Sequence, residues 1–539
     1  MAPDGDLGDL LAKVLPTGAE VTIRHVSSTP ASSPALLAPP PGQEPETTFC
    51  ESHFLSVSID SPKDEGAEII VFGIEVLVYT TAHLTTIFVS KADSTGFLHL
   101  LKLPQKVSVL RLISHTFLSY LARTHQRPGV RLVVSLFARA QNQYLFPGSV
   151  ENPEKHVLDD RGLIKWWCRA VDPILREHEP ESVSKDSKSS DQTTEAATAS
   201  ATAYLIVPGC DRLETRNFFP VTAKSDAQDR PRWLASYPLR QLCHNPSAPP
   251  RCLVPRLPDD PKTRFLIDLD DELPEPSAGE TVSHSTGLWR SVKSLDQFWE
   301  MMSFRQECSA GRLVGFLWLV INPPGLVNST SMASQNRDSG ANTSPDAAQV
   351  PNPPENASSQ DTPEEPKKTT SASSADPTAS KTSPEPRADT QPSFDRPPTS
   401  SSVEVAETNP FYWPEAGRGG VVLSVEDYKK VMDGLLDHFY DEKDIIISTK
   451  AFVDQVASLA DQLTWGKRVV GSHAVETTTS QEAAPNNLLS GGLIRKRKKP
   501  EVAETSSAEP KPDNTQSAAA PAAGVNMLNA NLVRKKKKT

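Results

Sequence analysis

Aromatic side chains are scarce in this chain: Phe, Trp and Tyr make up 6% of its 539 residues, whereas proline occurs 48 times. The shortage is uneven. Three Ser/Thr/Pro/Ala-rich tracts, at about 181–202, 326–408 and 476–539, hold few large apolar residues, and Phe394 is the sole aromatic of the second. Such composition cannot bury enough apolar surface to offset the entropy of ordering, so these tracts are expected to be disordered. Roughly 300 residues remain, enough for one large domain.

Cysteine is also sparse, with six residues at 50, 168, 210, 243, 252 and 308 and no CxxC pair. The N-terminal MAPDGDLGDLLAKVL lacks the charged, apolar, small-residue order of a secretory signal. Reduced, structural thiols are therefore predicted. Cys243, His244 and Cys252 fit no common zinc spacing, and no metal is expected. The absence of any run of eighteen apolar residues predicts no membrane span and a soluble, intracellular protein. GxSxG, HExxH, HRD, DFG, GxxxxGK[ST] and GxGxxG are all missing. The predicted folded part has no basic stripe and no RNP, KH or zinc-finger pattern, so direct nucleic-acid binding is not expected.

What is present alternates between strand and helix patterns. Strands are predicted over 54–59, 68–80, 85–90, 130–137, 204–207 and 313–321, where β-branched and other apolar residues run together. Apolar residues at helical spacing predict helices over 107–121, 163–177, 261–271, 294–307, 424–440 and 447–463. Ser424 and Asp427 approximate a capping box at one of these starts. The fold class is α/β, a central mixed sheet surrounded by helices, with the last two helices folding back onto it. The expected divisions are 1–180, an insert at 181–202, 203–325, a linker at 326–408, C-terminal helices at 409–470 and a basic tail at 471–539.

Four groups of residues have chemical potential. The block from Val133 to Val171 places Arg139, Tyr144-Leu145-Phe146-Pro147, His156 and adjacent Trp166 and Trp167 just beyond a strand, where connecting loops commonly carry function. Tyr and Trp pair an apolar face with one polar hydrogen, which suits a slot for a flat or long substrate. Core packing would use the same residues. Ser90-Lys91-Ala92-Asp93-Ser94-Thr95-Gly96 follows another strand and can offer backbone N–H groups to a phosphate or amide, although an ordinary polar turn reads the same way. Asp259 and Asp260 precede Pro261 and Lys262 at a helix start; they serve as a cap or orient a cationic lysine. Phe411-Tyr412-Trp413-Pro414 re-anchors the chain after the long linker.

The net charge of −11 hides two basic runs, 495–499 and 534–538. Each follows an Asn- and Leu-bearing segment, 487–494 and 526–533, in the same order. Basic runs of this kind serve as nuclear import signals or as docking peptides for an acidic partner.

FVSKADSTG, LFARAQNQYLFP, GLIKWWCRAVD, PDDPKTRF and the LVRKKKK tail together resemble the fungal histone acetyltransferases named as regulators of Ty transposition. The likeness covers about residues 1–325 and 405–470. It implies the acetyltransferase fold shared with the metazoan CBP enzymes, and transfer of acetyl from acetyl-CoA to lysines of histone H3 without a metal. Phe88, Ser90, Lys91 and Ala92 would then line one side of acetyl-CoA. Phe137, Arg139, Tyr144, Leu145, Phe146 and His156 would complete its groove. Trp166 and Trp167 would flank the tunnel where acetyl group and lysine meet, with Asp93 the essential acidic residue nearby. Lys262 corresponds to the buried lysine these enzymes acetylate on themselves, with Asp259 and Asp260 beside it. Gln141 departs from the small residue that contacts the cofactor in the family.

The same resemblance implies histone H3–H4 bound to chaperones of the nucleosome-assembly and anti-silencing classes as partners. It also implies a nuclear location and roles in replication-coupled chromatin assembly and the DNA damage response. No dedicated general base is assigned: an apolar, Trp-walled tunnel lowers a lysine pKa by desolvation, so solvent or a modest base suffices. Two rivals remain, a non-catalytic chromatin adaptor with a degenerate acetyltransferase fold and an acetyltransferase of non-histone lysines.

Overall fold

The segments richest in β-branched residues form the longest strands of the computed structural model, which describes residues 5–103, 107–181, 198–273, 288–305, 312–324 and 412–474. In chain order the strands are β1 Glu20–Ser28, β2 Ala31–Ser33, β3 Thr48–Asp60, β4 Glu68–Thr80, β5 Leu84–Ser94, β6 Arg131–Arg139, β7 Glu179–Pro180, β8 Ser200–Ile206, β9 Trp233–Leu234, β10 Val314–Asn322, β11 Val421–Leu423 and β12 Lys467–Val470. The α-helices are α1 Leu7–Val14, α2 Val109–His125, α3 Asp160–Arg176, α4 Arg212–Arg216, α5 Leu239–Leu242, α6 Pro261–Asp270, α7 Leu295–Met302, α8 Val425–Leu436 and α9 Ile445–Leu459.

Among the described residues all the strands join one mixed sheet, in the order β11-β1-β3-β4-β5-β6-β10-β8-β7. Three short strands lie off this path, β12 on β1, β2 on β3 and β9 on β8. β5 and β6 run parallel, with Ile87 opposite Val134, and β10 returns antiparallel between β6 and β8. The expected parts 1–180 and 203–325 thus share a sheet.

Every residue of β10 is buried, because helices cover both of its faces. The strand period of two sends Leu317, Leu319 and Ile321 to one core and Phe316, Trp318 and Val320 to the other. The first core is closed by residues of α1, α2, α3, α8 and α9; the second by residues of α5, α6 and α7.

Most expected elements are present with shifted ends. The strand over 68–80 has the expected bounds, and the helices over 107–121 and 163–177 start or stop within a turn of expectation. The helix over 424–440 ends at Leu436, and that over 294–307 at Met302. Ser424 Oγ accepts from Asp427 N at 3.1 Å and donates to Asp427 Oδ2 at 2.9 Å. β1 and the short strands β2, β7, β9, β11 and β12 escaped the pattern. β1 was hidden by Arg24, His25, Ser27 and Ser28, polar residues that are nevertheless buried. The tract expected to be unstructured at 181–202 ends in residues 200–202, which begin β8. The tracts at 326–408 and 476–539, Phe411, both basic runs and their preceding segments lie outside the described residues.

The C-terminal helices are built into the first core. Phe452 of α9 packs edge to face on Phe54 of β3 at 5.8 Å, and Thr449 Oγ1 accepts from Ile70 N of β4 at 2.9 Å. Phe452→Ala is expected to lower the unfolding free energy by about 3–5 kcal/mol, read as a fall in the urea midpoint at unchanged slope. A loss below about 1 kcal/mol would mean that α9 is an accessory to the core.

Candidate active site

The end of β5, the loop after β6 and the start of α3 enclose a cavity of about 450 Å³. Ala92, Asp93, Tyr144, His156, Trp166 and Trp167 line it, together with Leu98, His99, Leu110 and Leu163. It adjoins a polar groove of about 640 Å³, with which it shares Ala140, Gln141, Val157 and Leu158, and whose rim carries Asp160 and Arg312. Arg312 pairs with Asp160 at 2.9 Å and donates to the Ala140 carbonyl at 2.6 Å.

Local sequence sets the orientation of the two tryptophans. Asp159 caps α3 by accepting from Gly162 N at 2.6 Å, and Gly315 lets the helix press onto β10: a Cβ there would stand 2.8 Å from Ile164. Successive residues turn 100° around a helix, so Trp166 and Trp167 leave at different angles. Their rings still meet edge to face, 4.9 Å apart at 87°. Trp167 is 6% exposed and forms part of the core, while Trp166 is partly exposed at the cavity wall.

Asp93 organises the facing loop. Its Oδ2 accepts from the backbone N–H groups of Tyr144, Leu145 and Phe146 at 2.7, 3.0 and 3.4 Å. Its Oδ1 accepts from Ser94 N at 2.8 Å and pairs with Lys155 Nζ at 2.9 Å. Lys155 also donates to Ser149 Oγ at 2.7 Å. A carboxylate engaged by five donors is a scaffold for the loop, with little accepting capacity left for a substrate proton. Gly96 closes the same corner: its φ is +93°, and a Cβ would lie 2.8 Å from both Lys155 N and Asn152 Nδ2.

The bulge between β4 and β5, where Glu75 faces Lys91 but Val76 faces Val89, leaves Ser90 as the extra residue and re-aims the strand end toward the cavity. Ser90 Oγ donates to Glu75 Oε2 at 2.9 Å, and Lys91 pairs with Glu75 at 3.1 Å and with Asp259 at 3.2 Å. Burial disfavours the Lys91 ammonium, but those two carboxylates outweigh it and hold its pKa above the ordinary value.

Several expected contacts sit behind the wall. Phe88 and Phe137, 6.2 Å apart, face a small cluster with Leu257 instead of the cavity. Leu145 and Phe146 are fully buried in the first core, with Phe146 packed 5.0 Å from Tyr440. Ser90, Lys91 and Arg139 do not line the cavity either. Tyr144 Oη donates to the Arg139 carbonyl at 2.7 Å, and burial pushes the Tyr144 hydroxyl up to about 12. With its carboxamide oxygen turned to Arg139, Gln141 accepts from Nε at 2.9 Å. Cys168 is wholly buried, and burial raises its thiol pKa well above the usual range.

Lys262 lies in the second core, away from Trp167. Its side chain is 1% exposed and ion-paired with the equally buried Asp260, which caps α6 by accepting from Lys262 N at 2.9 Å. Its ammonium sits 4.2 Å from the Phe316 ring centroid and 5.6 Å from that of Trp318. Asp259 takes the other direction: it adopts a left-handed φ of 56° and presents a half-exposed carboxylate to Lys91. Sequence reasoning missed Lys155, Asn152, Glu75 and the Leu98–Leu110 wall. Their roles depend on which loops meet, which no local spacing records.

The histone acetyltransferase KAT11-type domain family matches residues 7–131 and 127–455. The histone acetyltransferase rtt109 of Aspergillus flavus is 58% identical over 99% of each chain. That of Schizosaccharomyces pombe is 30% identical over 58% of this chain and 70% of the relative. Among solved structures, the crystal structure of Rtt109 from Aspergillus fumigatus aligns with 60% identity and a TM-score of 0.70, covering 87% of this chain and all of that one.

Asp93→Ala removes the partner of a buried ammonium and of three amides. It is expected to lower stability by about 3–5 kcal/mol, with amide exchange accelerated first at Tyr144–Phe146. Unchanged protection of those amides would remove the scaffold role.

Proposed function

Since this chain belongs to the KAT11-type histone acetyltransferases, we propose that acetyl-CoA and the acceptor lysine meet in the cavity beside Trp166 and Trp167, and that histone H3, presented with H4 by a chaperone, supplies the lysine. The chain is a histone lysine acetyltransferase, and acetyl-CoA is the donor its family implies. The observation that carries the reading is the junction of an apolar cavity with a polar groove along one wall of shared residues. Such a pair suits a donor whose acetyl end needs dryness and whose other end is polar.

Acetyl transfer here needs no enzyme thiol. Cys168 is buried in the core with its thiol held protonated. The substrate amine attacks the thioester carbonyl directly, the C–S bond breaks, and the thiolate leaves as coenzyme A. The attacking lysine must first shed its ammonium proton, and the indole walls favour this by denying the charge its hydration. Tyr144 acts through place more than acidity: a hydroxyl pushed up to about 12 stays protonated and serves as a hydrogen-bond donor once released from the Arg139 carbonyl. Asp93 is a positioning residue, holding the backbone of 144–146 against the cofactor side. Ala92 and His156 reach the cavity directly, whereas Phe88, Ser90, Lys91, Phe137, Arg139, Leu145 and Phe146 support it from behind.

Lys262 is the proposed self-acetylation site. Its pairing alters what that modification does: a neutral amide leaves the buried Asp260 carboxylate without its cation, so acetylation is coupled to a rearrangement at the start of α6. A nuclear location, chaperones of the nucleosome-assembly and anti-silencing classes, and work in chromatin assembly and DNA repair accord with a histone substrate and with the basic runs of the tail.

Incubation with labelled acetyl-CoA, H3–H4 and such a chaperone, followed by mapping of modified lysines, tests the reading. Trp167→Ala is expected to cut turnover on H3 at least about 100-fold with the fold retained; full turnover retires the cavity assignment. Acetylation confined to non-histone proteins would leave the cavity and discard the substrate. Removing residues 488–539 is expected to weaken chaperone-dependent acetylation and spare Lys262, and equal loss of both would count against a docking role for the tail.

A further inference from the structure

On the far side of the first core from the acetyl-transfer cavity, three imidazoles and one carboxylate are sealed together. His25 belongs to β1, Glu51 and His53 to β3, and His125 to the last turn of α2; their exposures are 8, 3, 0 and 1%. One ring nitrogen of His53, one of His125 and a Glu51 carboxylate oxygen all lie within 4.8 Å of one another, and each Nε2 faces Glu51 Oε1. The geometry points to a structural metal site at which these three side chains hold a divalent ion of the zinc class.

Three observations carry this. First, the two atoms that lack hydrogen-bond partners are donors such an ion would use. His53 Nε2 stands 3.5 Å from Glu51 Oε1 without a hydrogen bond, and Glu51 Oε2 is buried with no partner. Leaving such groups unpaired in a core is costly, and one cation satisfies both. Glu51 and the two imidazoles supply donors of the carboxylate and nitrogen types that zinc accepts.

Second, the remaining ring nitrogens are already held from behind. His125 Nδ1 lies 2.9 Å from the Leu121 carbonyl, an arrangement that puts the proton on Nδ1 and the lone pair on Nε2. His53 Nδ1 lies 3.1 Å from His25 Nε2, so His25 serves as the outer partner that fixes the His53 tautomer.

Third, the spacing is near that required. Donors bound at about 2 Å in a tetrahedron stand about 3.3 Å apart. His53 and Glu51 already meet this, whereas His125 and Glu51 are in direct hydrogen-bond contact and must part slightly. The site is also lidded. Gly417 lies over His125, where a Cβ would approach Cε1 to 2.7 Å, and Tyr120 Oη donates to the neighbouring Ala416 carbonyl. An ion there would tie β3 and α2 together beneath the residues around Gly417. A second group, Glu46, His83 and His244, is exposed and lacks such backing.

The test uses the full chain without a histidine tag, stripped by a chelator and dialysed against zinc or cobalt. One equivalent of zinc per chain is expected, with a thermal midpoint that falls on stripping and returns on reloading. Cobalt should give the intense visible bands of a four-coordinate ion. Glu51→Gln and His53→Ala should each lose the equivalent. Should either variant fail to fold, His83→Ala with His244→Ala decides on a folded background: retention of the equivalent supports the buried site, and its loss assigns the metal to the surface. No stoichiometric uptake by the wild-type chain overturns the proposal and leaves a hydrogen-bonded triad.

Discussion

The placement of one carboxylate governs the cavity. Asp93 sits at the end of β5, where the bulge at Ser90 has re-aimed the strand, and it gathers three consecutive amides of the loop after β6. Without it those N–H groups would face a core that offers them no acceptor. Lys155 balances its charge from the opposite loop, and Gly96 gives that loop room to approach. The cavity is therefore the space left between α3 and a loop whose position is set electrostatically.

The sheet separates two kinds of buried charge. On the first face, Asp93 and Lys155 order backbone near the cavity. On the second, Lys262 is held by Asp260 and by the faces of Phe316 and Trp318. β10 feeds side chains to both faces, so its alternating pattern separates the face that carries the cavity from the face that holds the paired lysine. Lys91 links Glu75 of β4 to Asp259 just before α6.

Legibility followed how local each signal was. The strand over 68–80 and the helix carrying Trp166 and Trp167 were plain because apolar periodicity is a property of neighbouring residues. β1 was not, because its interior is lined by Arg24, His25, Ser27 and Ser28, whose burial depends on partners in β3, β4, α2 and at Gly419. The candidate site divided the same way. Tyr144, Trp166 and Trp167 came through as rare residues beside strand and helix ends, and Asp93 as part of a polar turn after a strand; all four line one cavity. Phe88 and Phe137 were drawn into the expected groove by adjacency, but strand alternation turns them to another face.

By itself the amino-acid order determined the α/β class, the elements with strong periodicity and the family motifs, since these rest on spacing along the chain. Only the tertiary structure decided that Asp93 is a scaffold, that the Lys262–Asp260 pair lies apart from Trp166 and Trp167, and that Glu51, His53 and His125 converge. Each of these depends on groups 2 to 74 positions apart being brought within a few ångströms in a low-dielectric interior. There burial, more than sequence distance, sets how strongly they interact.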